Sequence, residues 1–220
     1  MKRVTLFCGH YGSGKSTLAV NYAAGLAAGG LSAALADIDI VNPYFRSADS
    51  REELEARGVQ VIALPFANSN VDLPALPQEV YGLVQRRDVH AVLDVGGDDR
   101  GALALGRFVP YIREENDYEM LFVVNFYRPL TRDAESALEI LQEIEAAAGL
   151  RFTGIVNNSH LGAETTEGII EAALPLAAEL SALSGLPCAM TAFEERFRGK
   201  VHVAAPFPIR LRKKAYTLTI

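Results

Sequence analysis

The sequence predicts an α/β fold: a mostly parallel sheet with helices on both faces. Two observations predict it. Apolar runs of strand length recur along the 220 residues, and several are apolar at nearly every position, as suits strands buried on both faces. Segments with helical apolar spacing alternate with these runs from one end to the other. That order produces parallel strands joined by right-handed crossovers.

The first strand is Val4–Cys8, followed by a helix whose Leu18, Ala19, Tyr22, Ala23, Leu26 and Ala27 share one face and which Gly29-Gly30 stops. Further strands are expected at Ala33–Ala36, Val59–Leu64, Ala91–Val95, Met120–Asn125, Phe152–Asn157 and Cys188–Ala192. A helix from about Thr131 aligns Ala134, Ala137, Leu138, Leu141, Ile144 and Ala148 before Gly149 ends it. Another covers Thr166–Leu183, where Pro175 must kink or divide it. Asp98–Ile112 is a weaker helix candidate, interrupted by Gly101, Gly106 and Pro110, and Ala67–Pro77 reads as a long loop.

Composition narrows the function classes. Half of the residues are apolar (50%), enough for a large core, and the length predicts a single domain over residues 1–220. The 21 Lys and Arg against 27 Asp and Glu leave a net charge of −6. A protein working on nucleic-acid backbone carries the opposite balance, so no nucleic-acid partner is expected. No run of about 18 apolar residues occurs, so no membrane span is expected. Two cysteines, Cys8 and Cys188, are too few for a disulfide framework. With a strand rather than a signal peptide at the N-terminus, a cytoplasmic protein is expected.

The chemistry lies at the strand ends. After the first strand comes Gly9-His10-Tyr11-Gly12-Ser13-Gly14-Lys15-Ser16-Thr17, the P-loop pattern G-x-x-x-x-G-K-[ST]. Gly9, Gly12 and Gly14 let the loop, with Ser13, wind its backbone N–H groups inward at phosphate oxygens. The helix N-terminus adds its positive dipole end. Lys15 is expected to reach the β- and γ-phosphates, Ser16 to ligate Mg²⁺, and Thr17 to meet the α-phosphate. The pattern implies the three-layer architecture of P-loop NTPases.

A Mg²⁺–nucleotide site also needs carboxylates. Asp94 closes the fourth strand in Leu93-Asp94-Val95-Gly96-Gly97, as the acid of a Walker B strand does, and the Gly97 backbone is expected to approach the γ-phosphate. Asp37 and Asp39 follow the second strand, two residues apart and so on one side if strand geometry persists. Asp37 is a second candidate metal acid, and Asp39 a candidate to orient the attacking water.

Together, Gly9–Thr17, Asp37–Tyr44, Asp94–Gly97 and Asn157-Asn158 resemble the MinD/ParA-like branch of P-loop ATPases, which includes the CobQ/CobB-type nucleotide-binding domains. The resemblance implies a parallel sheet, an ATP–Mg²⁺ site, a switch segment over Asp37–Phe45 and an adenine contact from Asn157. A GTP-binding relative is expected to carry N-K-x-D where this chain reads Asn157-Asn158-Ser159-His160, which favours ATP. Relatives of this branch carry a signature lysine that reaches a dimer partner's nucleotide; here that position is His10. Histidine is shorter and mostly neutral near pH 7, so it does not replace a permanent cation. Slow ATP hydrolysis follows as the expectation.

The reading is thus an ATP-dependent switch acting on a partner protein, with a homodimer among the assemblies the resemblance implies. The alternatives are a small-molecule kinase or ATP-dependent amide or carboxylate ligase of the same fold, and a nucleotide-binding module with negligible turnover. No cis arginine finger stands out; Arg46, Arg100 and Arg128 are loop candidates for one, with no feature to separate them. The basic run Ile209–Lys214 precedes a tail without a helical apolar face, which disfavours a membrane contact.

Overall fold

The structure, a computed structural model, describes residues 1–39, 50–63, 78–97, 101 and 105–211. Residues 40–45 of the switch stretch, Arg46, the loop Ala67–Pro77, Arg100, most of the opening of Asp98–Ile112 and the tail from Arg212 lie outside them.

The described elements run in chain order β1 (Val4–Cys8), α1 (Lys15–Ala28), β2 (Ala33–Ile38), α2 (Arg51–Glu55), β3 (Val59–Ala63), α3 (Gln78–Gln85), β4 (His90–Val95), α4 (Val109–Glu115), β5 (Tyr118–Val124), α5 (Ala134–Ala148), β6 (Gly154–Asn157), α6 (Glu167–Ala172), α7 (Leu174–Ser184), β7 (Cys188–Glu194) and β8 (Pro206–Ile209). The strands form one sheet in the order β3-β2-β4-β1-β5-β6-β7-β8. Every described pair is parallel, so the expected mostly parallel sheet is parallel throughout.

Strand alternation divides the core into two layers. Val4, Leu6 and Cys8 of β1 join α3, α4, α5 and α7 on one face. Phe7 faces the other way, with Leu18, Ala19 and Ala23 of α1 and Leu54 of α2. Helices therefore cover both faces, giving three layers. Where β1 enters the sheet, Arg3 pairs with the buried Glu115 of α4 and donates to the carbonyls of Val84 (2.6 Å) and Val89 (3.2 Å). This clamp ties the N-terminal end of β1 to both α3 and α4.

Local chemistry accounts for the helix ends. Asp133 caps α5, its carboxylate accepting from Ser136 N at 2.9 Å, and Gly149 closes the helix in the left-handed region at φ 66°. Pro175 divides the expected helix Thr166–Leu183 in two, standing in the first turn of α7 where its missing N–H costs nothing. Strand β8 has no counterpart among the expected strands, because Pro206 and Pro208 argue against one. Among the described residues it is an edge strand, paired only with β7, where prolines are tolerated. The short helices α2 and α3 likewise go beyond the expected elements. Among the described residues no helix is long and apolar enough to cross a membrane.

Candidate functional site

The chain moves from β1 to one side of the sheet for β2 and β3, then returns through β4 to the other side of β1 for β5. Ligand crevices form at such a reversal, beyond the carboxyl ends of the strands. The loop Gly9–Gly14 leaves β1 at this point. Gly9 has φ 149°, and a Cβ there would stand 2.3 Å from the Val123 carbonyl oxygen. Gly14, at φ 93°, caps α1, and its Cβ would meet Asn158 Nδ2 at 2.3 Å. Neither position admits another residue without moving a neighbouring strand or loop. Ser13 N donates to His10 O (3.2 Å), and Asn158 Nδ2 donates to Ser13 O (2.7 Å), so the loop is held both by itself and from β6. The Ser13 hydroxyl is buried without a partner.

Lys15 is buried despite its charge, with Nζ donating to His10 O at 3.3 Å. A Cβ on Gly97 would come within 2.8 Å of both Lys15 Nζ and Tyr11 N, so the segment after β4 packs flush against the loop. The carboxylates gather on the adjoining side. Asp37 lies inside β2 rather than after it, in register with Asp94 of β4, and both are buried. Asp39 follows with its backbone N–H donating to Asp37 Oδ1 (3.1 Å) and its carboxylate against Gly96. Neither oxygen of Asp94 has a hydrogen-bond partner of normal geometry. Burial pushes the Asp94 carboxyl up to about 8, and the neighbouring Asp37 and Asp39 carboxylates push the same way. The Ser16 hydroxyl and the Lys15 charge partly oppose the shift.

An open cavity of about 730 Å³ lies over the loop. Gly12, Gly14, Lys15, Ser16, Thr17 and Asp39 line it, together with His10. Asp37, Asp94, Gly9, Ser13 and Gly97 are not among its lining residues. Neither is Asn157: it is buried, and its Oδ1 accepts from Ser159 N (3.2 Å) and Ser159 Oγ (2.7 Å). Its neighbour Asn158 lines the cavity instead. Pro129, Leu130, Ile209 and Leu211 give the cavity its apolar wall. Asn21 of α1 fastens that wall by exchanging hydrogen bonds with Arg210, at 2.9 Å to its N–H and 3.2 Å to its carbonyl.

Arg128, Pro129, Leu130, Asn158, His160, Ile209 and Leu211 are the lining residues that the motif pattern does not assign. Asn158 and His160 sit in the four-residue stretch where a base-reading motif belongs. Ile209 ends a strand hidden by its prolines, and Leu211 follows it. Arg128 carries no distinguishing sign in the sequence; only the fold brings its side chain to the loop.

A phosphate-sized anion suits a glycine loop feeding a helix N-terminus with a buried lysine beside it. Mg²⁺ prefers oxygen donors and keeps several waters. The orphaned oxygens of buried Asp94, beside the Ser16 hydroxyl, supply that donor chemistry. Among the described residues no group of three or more His, Cys, Asp or Glu is placed to hold a metal by itself.

No family model matches the chain, and no curated protein sequence does. Solved structures do. The cell division protein FtsY from Thermotoga maritima matches with TM-score 0.56 at 20% identity, over 87% of this chain and 62% of that one. The signal recognition particle receptor FtsY from Elizabethkingia anophelis in complex with GDP matches with TM-score 0.55 at 18% identity, over 87% and 57%. The 54 kDa signal recognition particle protein from Aeropyrum pernix K1 in complex with GDP gives TM-score 0.52 at 17% identity, over 84% and 40%. This chain thus spans less than two thirds of each of these structures. The likeness shows the fold: this is a P-loop NTPase fold.

Proposed function

We propose that the chain is a Mg²⁺-dependent ATP-binding switch of the MinD/ParA-like type, built as one nucleotide-binding domain over residues 1–220. The observation that carries this reading is the juxtaposition of buried Lys15 and Ser16 with the orphaned Asp94 carboxylate beneath a cavity of about 730 Å³. Lys15 and the loop from Gly9 to Thr17 bind the phosphates. Ser16 and Asp94, with Asp37 beside it, hold Mg²⁺, which neutralises charge on the phosphates when bound. Asp39, on the cavity wall, orients the attacking water. The apolar wall of Pro129, Leu130, Ile209 and Leu211 suits a flat purine ring. Asn158 and His160, standing where a guanine-reading lysine and aspartate are expected, favour adenine.

The switch acts through Asp37–Phe45, whose Asp37 and Asp39 belong to the carboxylate group and whose residues 40–45 lie outside the described residues, and a partner protein, or a second copy of this chain, reads its nucleotide state. With His10 rather than lysine in the loop, turnover is slow. Calorimetry with ATP and with GTP, each with Mg²⁺, tests the binding. ATP binds more tightly, and Lys15→Ala weakens that binding by about a hundredfold or more, as expected for a lost charge-assisted contact to phosphate. Unchanged affinity in Lys15→Ala would overturn the loop's role, and preference for GTP would overturn the base assignment. Light scattering with a non-hydrolysable ATP analogue separates a nucleotide-driven dimer from a monomer.

A further inference from the structure

Strand β8 runs out into a segment that borders two cavities. Ile209 and Leu211 line the large one over the phosphate loop. Arg210 and Leu211 also line a second, of about 400 Å³, whose other walls include Val20 and Ala24 of α1 and Leu54 of α2. Up to Ile209 the strand is held by pairing and packing. Thr191 N donates to Ala205 O (2.9 Å) and Thr191 stands opposite Pro206, so residues 205, 207 and 209 turn their backbone groups toward β7. Phe207 packs against Tyr22 of α1 with ring centroids 6.2 Å apart, and Ile209 is buried in the core on that face.

Residues 206, 208 and 210 turn their backbone groups the other way, to an edge where the described residues place no further strand. Pro206 and Pro208 have no N–H to offer there. Arg210 has one, and Asn21 meets it as a neighbouring strand would. Its Oδ1 accepts the Arg210 N–H at 2.9 Å, and its Nδ2 donates to the Arg210 carbonyl at 3.2 Å. The other Nδ2 hydrogen goes to Thr17 O at 2.8 Å, one turn back along α1. Both hydrogens of the amide are thus committed, and its orientation is fixed. Beyond the packed Ile209, with a cavity on either side, these bonds are what hold Arg210 and Leu211 among the described residues.

We propose that Asn21 is a positioning residue for the nucleoside end of the ligand: by standing in for a strand, it keeps Ile209 and Leu211 on the face that a purine ring meets. This rests on the nucleotide reading above and extends it. A residue of the helix that carries Lys15 and Ser16 then governs the grip on the base rather than on the phosphates. Without the amide, the segment is free to shift toward the second cavity. The ring loses its wall while the loop keeps its phosphate contacts.

The test measures affinities of the full chain and its variants, with Mg²⁺, for ATP and for inorganic tripolyphosphate by calorimetry. Melting temperature serves as the folding control. Asn21→Ala is expected to lose about fivefold or more on ATP and less than about twofold on tripolyphosphate, in keeping with two hydrogen bonds of ordinary worth. Asn21→Asp, which keeps the acceptor for the Arg210 N–H and loses the donor, should show the same pattern. Leu211→Ala removes part of the wall directly and should do likewise. Asn21→Ala should then cost less in the Leu211→Ala background than alone, because one residue acts through the other. An equal loss on tripolyphosphate would assign Asn21 to the phosphate loop through Thr17 and overturn the proposal. Unchanged ATP affinity in Asn21→Ala, or losses that simply add in the double variant, overturn it as well. If the unaltered chain itself binds no ATP, the nucleotide reading fails and this proposal falls with it, a result distinct from the failures seen only in the variants.

Discussion

The buried carboxylate at the end of β4 makes a prediction that needs no ligand. Asp94 is fully buried with both oxygens unpartnered, in register with Asp37 on the next strand. Its carboxyl is raised from 3.8 to about 8, first by burial and then by Asp37. Between those values the folded chain keeps a proton that the unfolded chain has released. Folding stability therefore falls as pH rises across that window and levels off above it. A tenfold difference in proton affinity between the two states corresponds to about 1.4 kcal/mol. The penalty carried by Asp94 is then about 2 kcal/mol at pH 5 and about 4 kcal/mol at pH 7. These are ceilings, because burial, the larger cause, relaxes where the chain can admit water beside Asp94.

Asp94→Asn keeps the shape and removes the ionisation. Guanidinium denaturation of both proteins at pH 5, 6, 7 and 8, without nucleotide or Mg²⁺, reads the difference directly. The asparagine variant should gain on the natural chain by up to about 3 kcal/mol between pH 5 and pH 7. Gains of at least about 1 kcal/mol are expected. A gap that stays constant within about 0.5 kcal/mol from pH 5 to pH 8, or one that closes as pH rises, refutes the reasoning. Under the proposed function, MgATP reverses the order. Ligation makes the carboxylate form the useful one, so the natural chain then gains stability that the asparagine variant does not.

Other outcomes follow from contacts further out. Gly97→Ala puts a Cβ within 2.8 Å of Tyr11 N and Lys15 Nζ and 3.0 Å of Gly9 O. We expect a loss of about 1–3 kcal/mol in denaturation, with weakened ATP binding in calorimetry; natural values for both would show that the loop yields to the methyl group. Arg3→Ala takes from the buried Glu115 its buried partner and leaves it the exposed Arg87 at 3.1 Å; this should cost about 2–3 kcal/mol at pH 7, part of it recovered in the double variant Arg3→Met/Glu115→Leu. Arg3 holds the Glu115 carboxyl below its ordinary value of 4.5. The stability it adds is present above that pH and disappears as pH falls through the folded value, so the gap between natural chain and Arg3→Ala should close on acidification. An equal gap at pH 7 and pH 3 would assign the loss to packing alone.

The strand-end motifs were legible because their physics is local. Gly9, Gly14 and Lys15 owe their arrangement to one tight turn and one helix start, and the spacing in the chain already encodes both. The seven strands read from apolar runs are all present, because burial on both faces leaves an unbroken apolar signature. What stayed hidden depends on partners far apart in sequence. Strand β8 reads as a loop through Pro206 and Pro208, and only its place at the edge of the sheet makes a strand of it. The aspartates at 37 and 94 each read as candidate acids, but the burial and the shared register that raise the Asp94 pKa exist only once β2 and β4 pair inside the sheet.

The asparagines at the end of β6 show the same division at finer grain. Two adjacent amides in one strand-end stretch are indistinguishable by composition. Successive residues leaving a strand point to opposite sides, so at most one of them can face the cavity while the chain stays extended. The choice is made elsewhere. Ser159 takes the Asn157 carboxamide oxygen inward, and the Ser13 carbonyl takes the Asn158 amide at 2.7 Å. That second bond spans 145 positions and passes beside Gly14, the one loop residue whose side chain would have blocked it. A glycine read from the motif as a phosphate residue thus also makes room for the amide that secures the loop. Replacing Gly14 should therefore disturb the loop's anchorage even in the absence of any nucleotide.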